Sequence, residues 1–184
     1  MLGYNQVRQE QGQEETPVLG FFFQELMDNL SLYNIDSKYV EYLCRYSPNL
    51  YVEKDRSKTR KYIGIVLVVN TFHYFVPLTS FKKKHLHLSN SIDFMKIGKI
   101  AAINLNKMIP VPIGCYSRVV IKEEGDVFYR QLLYREQRFI QKNQQILKDN
   151  ASLLYKKVLK NPDSRLAKRS NDFKLLESVC KDYR

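Results

Sequence analysis

Apolar positions along this chain change period once, and the change divides it into a strand-rich stretch followed by a helical one. Residues 32–35 read as a short strand. Asp36 is a suitable N-cap for a helix in which Tyr39, Val40 and Leu43 form the apolar face, with Tyr39 in its first turn. Residues 62–69 form a continuous β-branched run of the length of a buried strand, and residues 72–78 follow Asn70 and Thr71 as its hairpin partner. Pro77 marks a place where pairing must stop or where the strand must lie at an edge. Residues 91–97 and 99–105 are strand candidates on either side of Gly98, and the proline-locked segment 108–113 leads to another strand within 115–121. A mainly antiparallel sheet of five or six strands is expected.

From Asp126 the period becomes helical. Phe128, Leu132, Phe139 and Ile146 recur at helical spacing, as do Tyr129, Leu133, Ile140 and Leu147, which predicts one long amphipathic helix. A second helix is expected over 151–159, ending near Asn161 and Pro162, and a third over 172–180 with Asp172 as its cap. This order predicts an α+β domain: a small barrel-like sheet with helices along one side.

Residues 1–19 are rich in Gln, Glu and Gly and hold too few apolar groups to offset their ordering entropy, so disorder is expected there. Phe21, Phe22, Phe23, Leu26 and Leu30 suit one short helix, and Met27 stands where a shorter reading frame would begin. Residues 1–31 are therefore expected to be a disordered or spurious extension, and residues 32–184 a single domain. The polar stretch 47–59, with Pro48 and four consecutive charged residues, predicts a long surface loop.

Charge narrows the partners. Thirty Lys and Arg against nineteen Asp and Glu give a formal charge of +11, which favours nucleic acid or another polyanion. The excess is uneven: residues 1–31 carry one Arg and five acidic groups, whereas from Tyr129 onward fourteen basic residues face six acidic ones. Three widely spaced cysteines without a CxxC pair indicate neither a disulfide framework nor a zinc site, which fits a reducing cytoplasm. No apolar run approaches the roughly 20 residues that span a bilayer, and a signal-peptide layout is missing, so no membrane partner is expected. Three scattered histidines, without HExxH or clustered carboxylates, predict no metal site.

The densest chemistry lies where the second hairpin strand runs out. Thr79 and Ser80 offer hydroxyl donors, and Lys82, Lys83, Lys84 and His85 offer positive charge, a composition suited to phosphate. A solvated charge run on a loop is the competing reading.

Several ordered segments, running from about Leu32 to the C-terminus, resemble the ToxN/AbiQ family of toxins from type III toxin–antitoxin and phage abortive-infection systems. They are Leu-Tyr-Asn-Ile-Asp-Ser-Lys-Tyr-Val-Glu-Tyr-Leu at 32–43, Arg-Lys-Tyr-Ile-Gly-Ile-Val-Leu at 60–67, and Tyr-Phe-Val-Pro-Leu-Thr-Ser at 74–80 with Lys82 beyond. Ile-Asn-Leu-Asn-Lys-Met-Ile-Pro-Val-Pro at 103–112, residues 134–140, and Asp-Phe-Lys-Leu-Leu-Glu at 172–177 complete the series. The resemblance implies a metal-independent, cofactor-free endoribonuclease on an SH3-like (MazF-like) barrel with a long C-terminal helix and additional helices. It implies RNA cleavage that leaves 2′,3′-cyclic phosphate and 5′-hydroxyl ends. It also implies mRNA as substrate and, as inhibitor, a small repeated pseudoknot RNA that the toxin cuts and binds in a closed protein–RNA assembly.

By the same resemblance the catalytic residues are Tyr39, Arg60, Thr79, Ser80 and Lys82, with Lys61 a one-residue alternative to Arg60. Thr79 and Ser80 would position phosphate, Arg60 and Lys82 would stabilise the phosphorane, and Tyr39 or Lys82 would move a proton. Phe81 stands where this family usually has proline, implying a looser loop. RNA-binding candidates are Lys61, Lys83, Lys84 and His85, together with Lys156, Lys157, Lys160, Arg165, Lys168 and Arg169 on the C-terminal helices. Without the family, Tyr39 reads as core, the helical lysines as a solvated face, and His85 as solvated, phosphate-touching or an acid/base. His73 and His87 read as surface residues, and Tyr129, Phe139 and Phe173 as core. The rival functions are a non-catalytic RNA-binding regulator and, less well supported for want of a helix-turn-helix, a DNA-binding repressor.

Overall fold

The computed structural model describes residues 29–47, 50 and 60–183. The expectations for residues 1–28 and most of those for 47–59 lie outside them. Strand β1 (Ser31–Ile35) leads through Asp36, whose carboxylate accepts from the Lys38 N–H at 2.8 Å, into helix α1 (Ser37–Cys44). Leu30 and Ser31 are buried, so the ordered core begins slightly earlier than the hydrophobic pattern suggested. Strands β2 (Tyr62–Val69) and β3 (Phe72–Ser80) form the central hairpin, and Asn70 at φ 54° makes its turn. Then come β4 (Phe94–Ile97), β5 (Ala101–Asn104), β6 (Ile109–Val111) and β7 (Tyr116–Arg118).

The strands are antiparallel in the order β4-β5-β3-β2-β1-β7, with β6 also paired to β3, giving seven among the described residues where five or six were expected. Among the described residues no pairing closes the sheet into a barrel. Pro77 neither ends β3 nor lies on an edge: it faces Tyr62 of β2. On its other side, β6 pairs with residues up to Phe75 and β5 takes over at Leu78. The proline, which has no N–H, occupies the gap between those two partners, so no ladder hydrogen bond is forfeited.

Helix α2 (Val127–Lys142) is capped by Asp126, whose carboxylate accepts from the N–H groups of Phe128 and Tyr129 at 2.8 and 3.1 Å. The long helix expected from periodicity stops at Asn143, where the backbone leaves helical geometry and the side-chain amide donates to the Phe139 carbonyl. Helix α3 (Gln144–Lys160) then runs unbroken through the region assigned to a second, shorter helix. Of the two apolar stripes, the one through Leu133, Ile140 and Leu147 is buried, whereas Phe128 is 86 % exposed. A short helix α4 (Arg165–Arg169), unanticipated, precedes α5 (Phe173–Asp182), where Asp172 caps Leu175 as expected.

Two polar devices fasten helices to sheet. Gln137 of α2 accepts from the Leu32 N–H at 3.1 Å and donates to the Leu30 carbonyl at 2.9 Å. Glu177 of α5 accepts from the hydroxyls of Tyr74 on β3 and Tyr155 on α3, at 2.8 and 2.6 Å. Phe173 packs against both of those tyrosine rings, which also meet each other edge-on. His73, expected at the surface, is instead buried, with Nδ1 at 3.1 Å from the Tyr116 hydroxyl.

Candidate active site

Strand β3 carries two of the expected catalytic residues itself. Thr79 and Ser80 pair with Ala102 and Ala101 of β5, so they stand on a ladder rather than in a loop. The Thr79 hydroxyl, half-buried, accepts from the Asn104 side-chain amide at 3.3 Å, which leaves its proton for another acceptor. Ser80 is exposed. The chain then turns: the Phe81 N–H donates to the Ile100 carbonyl at 3.1 Å, and Lys82 follows, exposed, at the entrance to a 3₁₀ turn (Lys83–His87).

These residues open on a cleft of about 1080 Å³ between the end of β3 and the first half of α2. Arg60, Lys61, Thr79, Ser80 and Lys82 all line it, together with Asn104, Lys107, Tyr129 and Glu136. Lys61 donates to the Asn34 side-chain oxygen at 2.8 Å; burial holds its pKa below the ordinary lysine value, and Glu124 partly offsets that. Burial likewise lowers Lys107. Glu136 is only 5 % exposed, and burial pushes its carboxyl up to about 7. The cleft is also lined by the carboxylates of Glu124 and Asp126 just before α2; its cations and the Thr79 and Ser80 hydroxyls can hold and neutralise phosphodiester oxygen charge, and the Glu136 carboxyl, raised towards neutrality, can take or give a proton.

Tyr39 is not brought there. It is fully buried, its hydroxyl donates to the Pro110 carbonyl at 2.6 Å, and its ring packs edge-on against Tyr183. Burial, assisted by Cys180, raises its pKa far out of reach of proton exchange at neutral pH. His85 also departs from expectation. It is 3 % exposed, and its Nδ1 accepts from the Lys82 backbone N–H at 3.1 Å. Lys83 and Lys84 are exposed on the turn beside the cleft without lining it.

Lys156, Lys157 and Lys160 on α3, and Arg165 and Lys168 on α4, are exposed and outside the cleft. Arg169 is committed elsewhere, with Nε and Nη2 donating to the buried Asp93 carboxylate at 2.7 and 2.8 Å. Tyr129 and Phe139 pack partly buried against the core, and Phe173 is fully buried, as expected. Asn104, Lys107 and Glu136 were missed. The first two lie in the 103–112 motif, and an acidic residue between Leu133 and Ile140 on the inward face of α2 was a legible signal. Among the described residues no group of three or more His, Cys, Asp or Glu could hold a metal ion, and no helix is long and apolar enough to cross a membrane.

Known proteins share this fold. The family model described as toxin ToxN of type III toxin–antitoxin systems matches residues 31–181. Endoribonuclease ToxN of Bacillus thuringiensis subsp. kurstaki is 28 % identical over 160 residues, 85 % of this chain and 80 % of its own. Endoribonuclease AbiQ of Lactococcus lactis subsp. lactis is 22 % identical over 184 aligned residues, 89 % of this chain and 94 % of its own. A solved type III toxin–antitoxin structure, whose toxin is selectively inhibited by a non-coding RNA pseudoknot, matches with TM-score 0.72 at 25 % identity, over 84 % of this chain and 98 % of that one. With most of the sequence matched and the fold in agreement, the chain belongs to the ToxN family of type III toxin–antitoxin toxins.

Proposed function

We propose that this chain is an endoribonuclease toxin that cleaves RNA by attack of a 2′-hydroxyl on the adjacent phosphate, using its own side chains and no metal. The observation that carries the reading is the convergence of Arg60, Thr79, Ser80 and Lys82 on one cleft. The bent sheet that mounts them we take to be an SH3-like, MazF-like barrel left open.

The reaction forms a bond from O2′ to phosphorus and breaks the bond from phosphorus to O5′. Thr79 and Ser80 donate to the non-bridging oxygens, and Lys82 and Arg60 offset the charge that accumulates on the phosphorane, each donor contributing on the order of 3 kcal/mol. The 2′-hydroxyl proton goes to Glu136, whose carboxyl titrates near neutral pH, and Lys82 protonates the departing 5′-oxygen. Tyr39 leaves the set of proton carriers because its hydroxyl is buried on Pro110, and it serves instead to seat α1 against β6. The products are a 2′,3′-cyclic phosphate and a 5′-hydroxyl.

By analogy with the pseudoknot-inhibited relative, a small repeated antitoxin RNA is cut and then bound in a closed assembly. Lys156, Lys157, Lys160 and Lys168 are a basic surface available to it, and the setting is phage defence in the cytoplasm. The rival is a non-catalytic RNA-binding protein, and one experiment separates them. Purified protein and Lys82→Ala are incubated with long single-stranded RNA in EDTA, and the new termini are identified. Cyclic phosphate and 5′-hydroxyl ends from the wild type alone support the nuclease; binding without cleavage by both establishes the rival.

A further inference from the structure

We propose that His85 is a positioning residue for Lys82: its neutral imidazole latches the backbone of the cleft lysine, and Phe81 completes the latch. The inference rests on the ribonuclease reading for its catalytic consequence and on the structure alone for the latch.

The bonds are reciprocal. The His85 backbone N–H donates to the Lys82 carbonyl at 2.8 Å, closing the 3₁₀ turn, and the Lys82 backbone N–H donates back to the His85 ring at Nδ1, at 3.1 Å. Together they hold Lys82 extended, at φ −122° and ψ 153°, between the end of β3 and the 3₁₀ turn. That setting of the backbone aims the lysine side chain from its root. The ring itself is clamped, with Phe81 edge-on at 5.5 Å and 81° and Phe94 of β4 at 5.6 Å and 62°. Phe81 is fastened at its other end by the bond from its N–H to Ile100, which a proline at this position could not make. At this position packing against His85 and the bond to Ile100 hold the loop.

Nδ1 can accept only while it carries no proton, so the latch requires the neutral tautomer with hydrogen on Nε2. Protonation would set an N–H on Nδ1 directly against the Lys82 N–H. Burial, then the charges of Lys84 and Lys82, lower the His85 pKa and keep the ring neutral. From β4 the ring packs against Phe94, and the neighbouring Asp93 carboxylate accepts from Ser91 and Arg169. A falling pH therefore opens the latch only on the acid side of the ordinary histidine value of about 6.5.

The test compares His85→Leu, which removes the acceptor, with His85→Asn, whose Oδ1 stands close to where Nδ1 stands. For each, kcat and KM of RNA cleavage are measured from acid to neutral pH, and exchange protection of the Lys82 amide is followed by NMR. The Leu variant is expected to lose kcat on the order of 10²-fold, the cost of a misplaced group, with KM little changed and the Lys82 amide unprotected. The Asn variant is expected to keep most of kcat and to keep the Lys82 amide protected at acid pH, where the wild type loses that protection; the acid limb of kcat set by Glu136 stays in both. Equal kcat in wild type and Leu variant, or an Asn variant as impaired as Leu with its Lys82 amide equally unprotected, overturns the proposal. If the Leu variant does not fold, the Asn variant and the wild-type amide at low pH decide alone. A wild type that protects the Lys82 amide yet cuts no RNA would refute the nuclease and not the latch.

Discussion

Glu177→Ala tests whether the site is mounted as rigidly as the fold suggests. The Glu177 carboxylate is buried on α5 and accepts from Tyr74, Tyr155 and Lys174 at 2.8, 2.6 and 2.9 Å. Tyr74 lies on β3, the strand that ends in Thr79 and Ser80. Truncation strands two buried hydroxyls, each costing about 1–3 kcal/mol. Lys174 is more than half exposed, so its share is screened and adds little. The total, about 3–5 kcal/mol, is that of breaking a buried charged contact. At about 2–4 °C per kcal/mol for a domain of this size, the midpoint should fall by about 10 °C.

The pH dependence follows from the sign of the shift. Burial alone would raise the Glu177 carboxyl, but hydrogen bonds from Lys174, Tyr155 and Tyr74 outweigh it and hold the pKa below the usual range. A depressed carboxylate contributes stability above its unfolded value of about 4.3, and that contribution is lost as pH falls through the folded value. Thermal unfolding by circular dichroism at several pH values, alongside Tyr74→Phe and Tyr155→Phe, is the assay. A shift below about 2 °C at neutral pH would refute the account.

Glu136→Gln should separate from wild type in the opposite direction. Burial raises this carboxyl to about 7, so ionisation destabilises the native state as pH climbs from the unfolded value of about 4.3, and the Gln variant gains up to about 3 kcal/mol by pH 8 and nothing at acid pH. Denaturant titrations at the two extremes read this, and the same variant should lose about 10²-fold or more in cleavage kcat; unchanged cleavage would remove Glu136 from the reaction. Gly64→Ala would set a methyl group into the Phe75 ring, at an overpacking cost of about 1–3 kcal/mol, and unaltered melting would show that the core yields there.

Local chemistry made much of this protein legible before any fold was known. β-Branched runs announced the central hairpin, and Asp36 and Asp172 cap helices as expected because a short carboxylate one residue ahead of a helix meets its free N–H groups whatever surrounds it. The excess of Lys and Arg pointed to a polyanion, since charge balance does not depend on folding. The segments at 60–67, 74–80 and 103–112 identified the family and led to four residues, Arg60, Thr79, Ser80 and Lys82, that share the cleft. The helix break at Asn143 was hidden because the apolar period continues across it.

What tertiary structure alone decided depends on groups far apart in the chain. Pro77 sits in a central strand because two different neighbours stop on either side of it, an arrangement that period-two patterning does not encode. Arg169 is claimed by Asp93, 76 residues away, and Tyr39 by the Pro110 carbonyl, 71 residues away. His85 and Glu136 titrate as they do because other elements bury them. Sequence determines which groups a chain carries and which local turns they favour; burial and long-range partners set their pKa, orientation and access to substrate, because desolvation and hydrogen-bond geometry exist only once the elements are packed together.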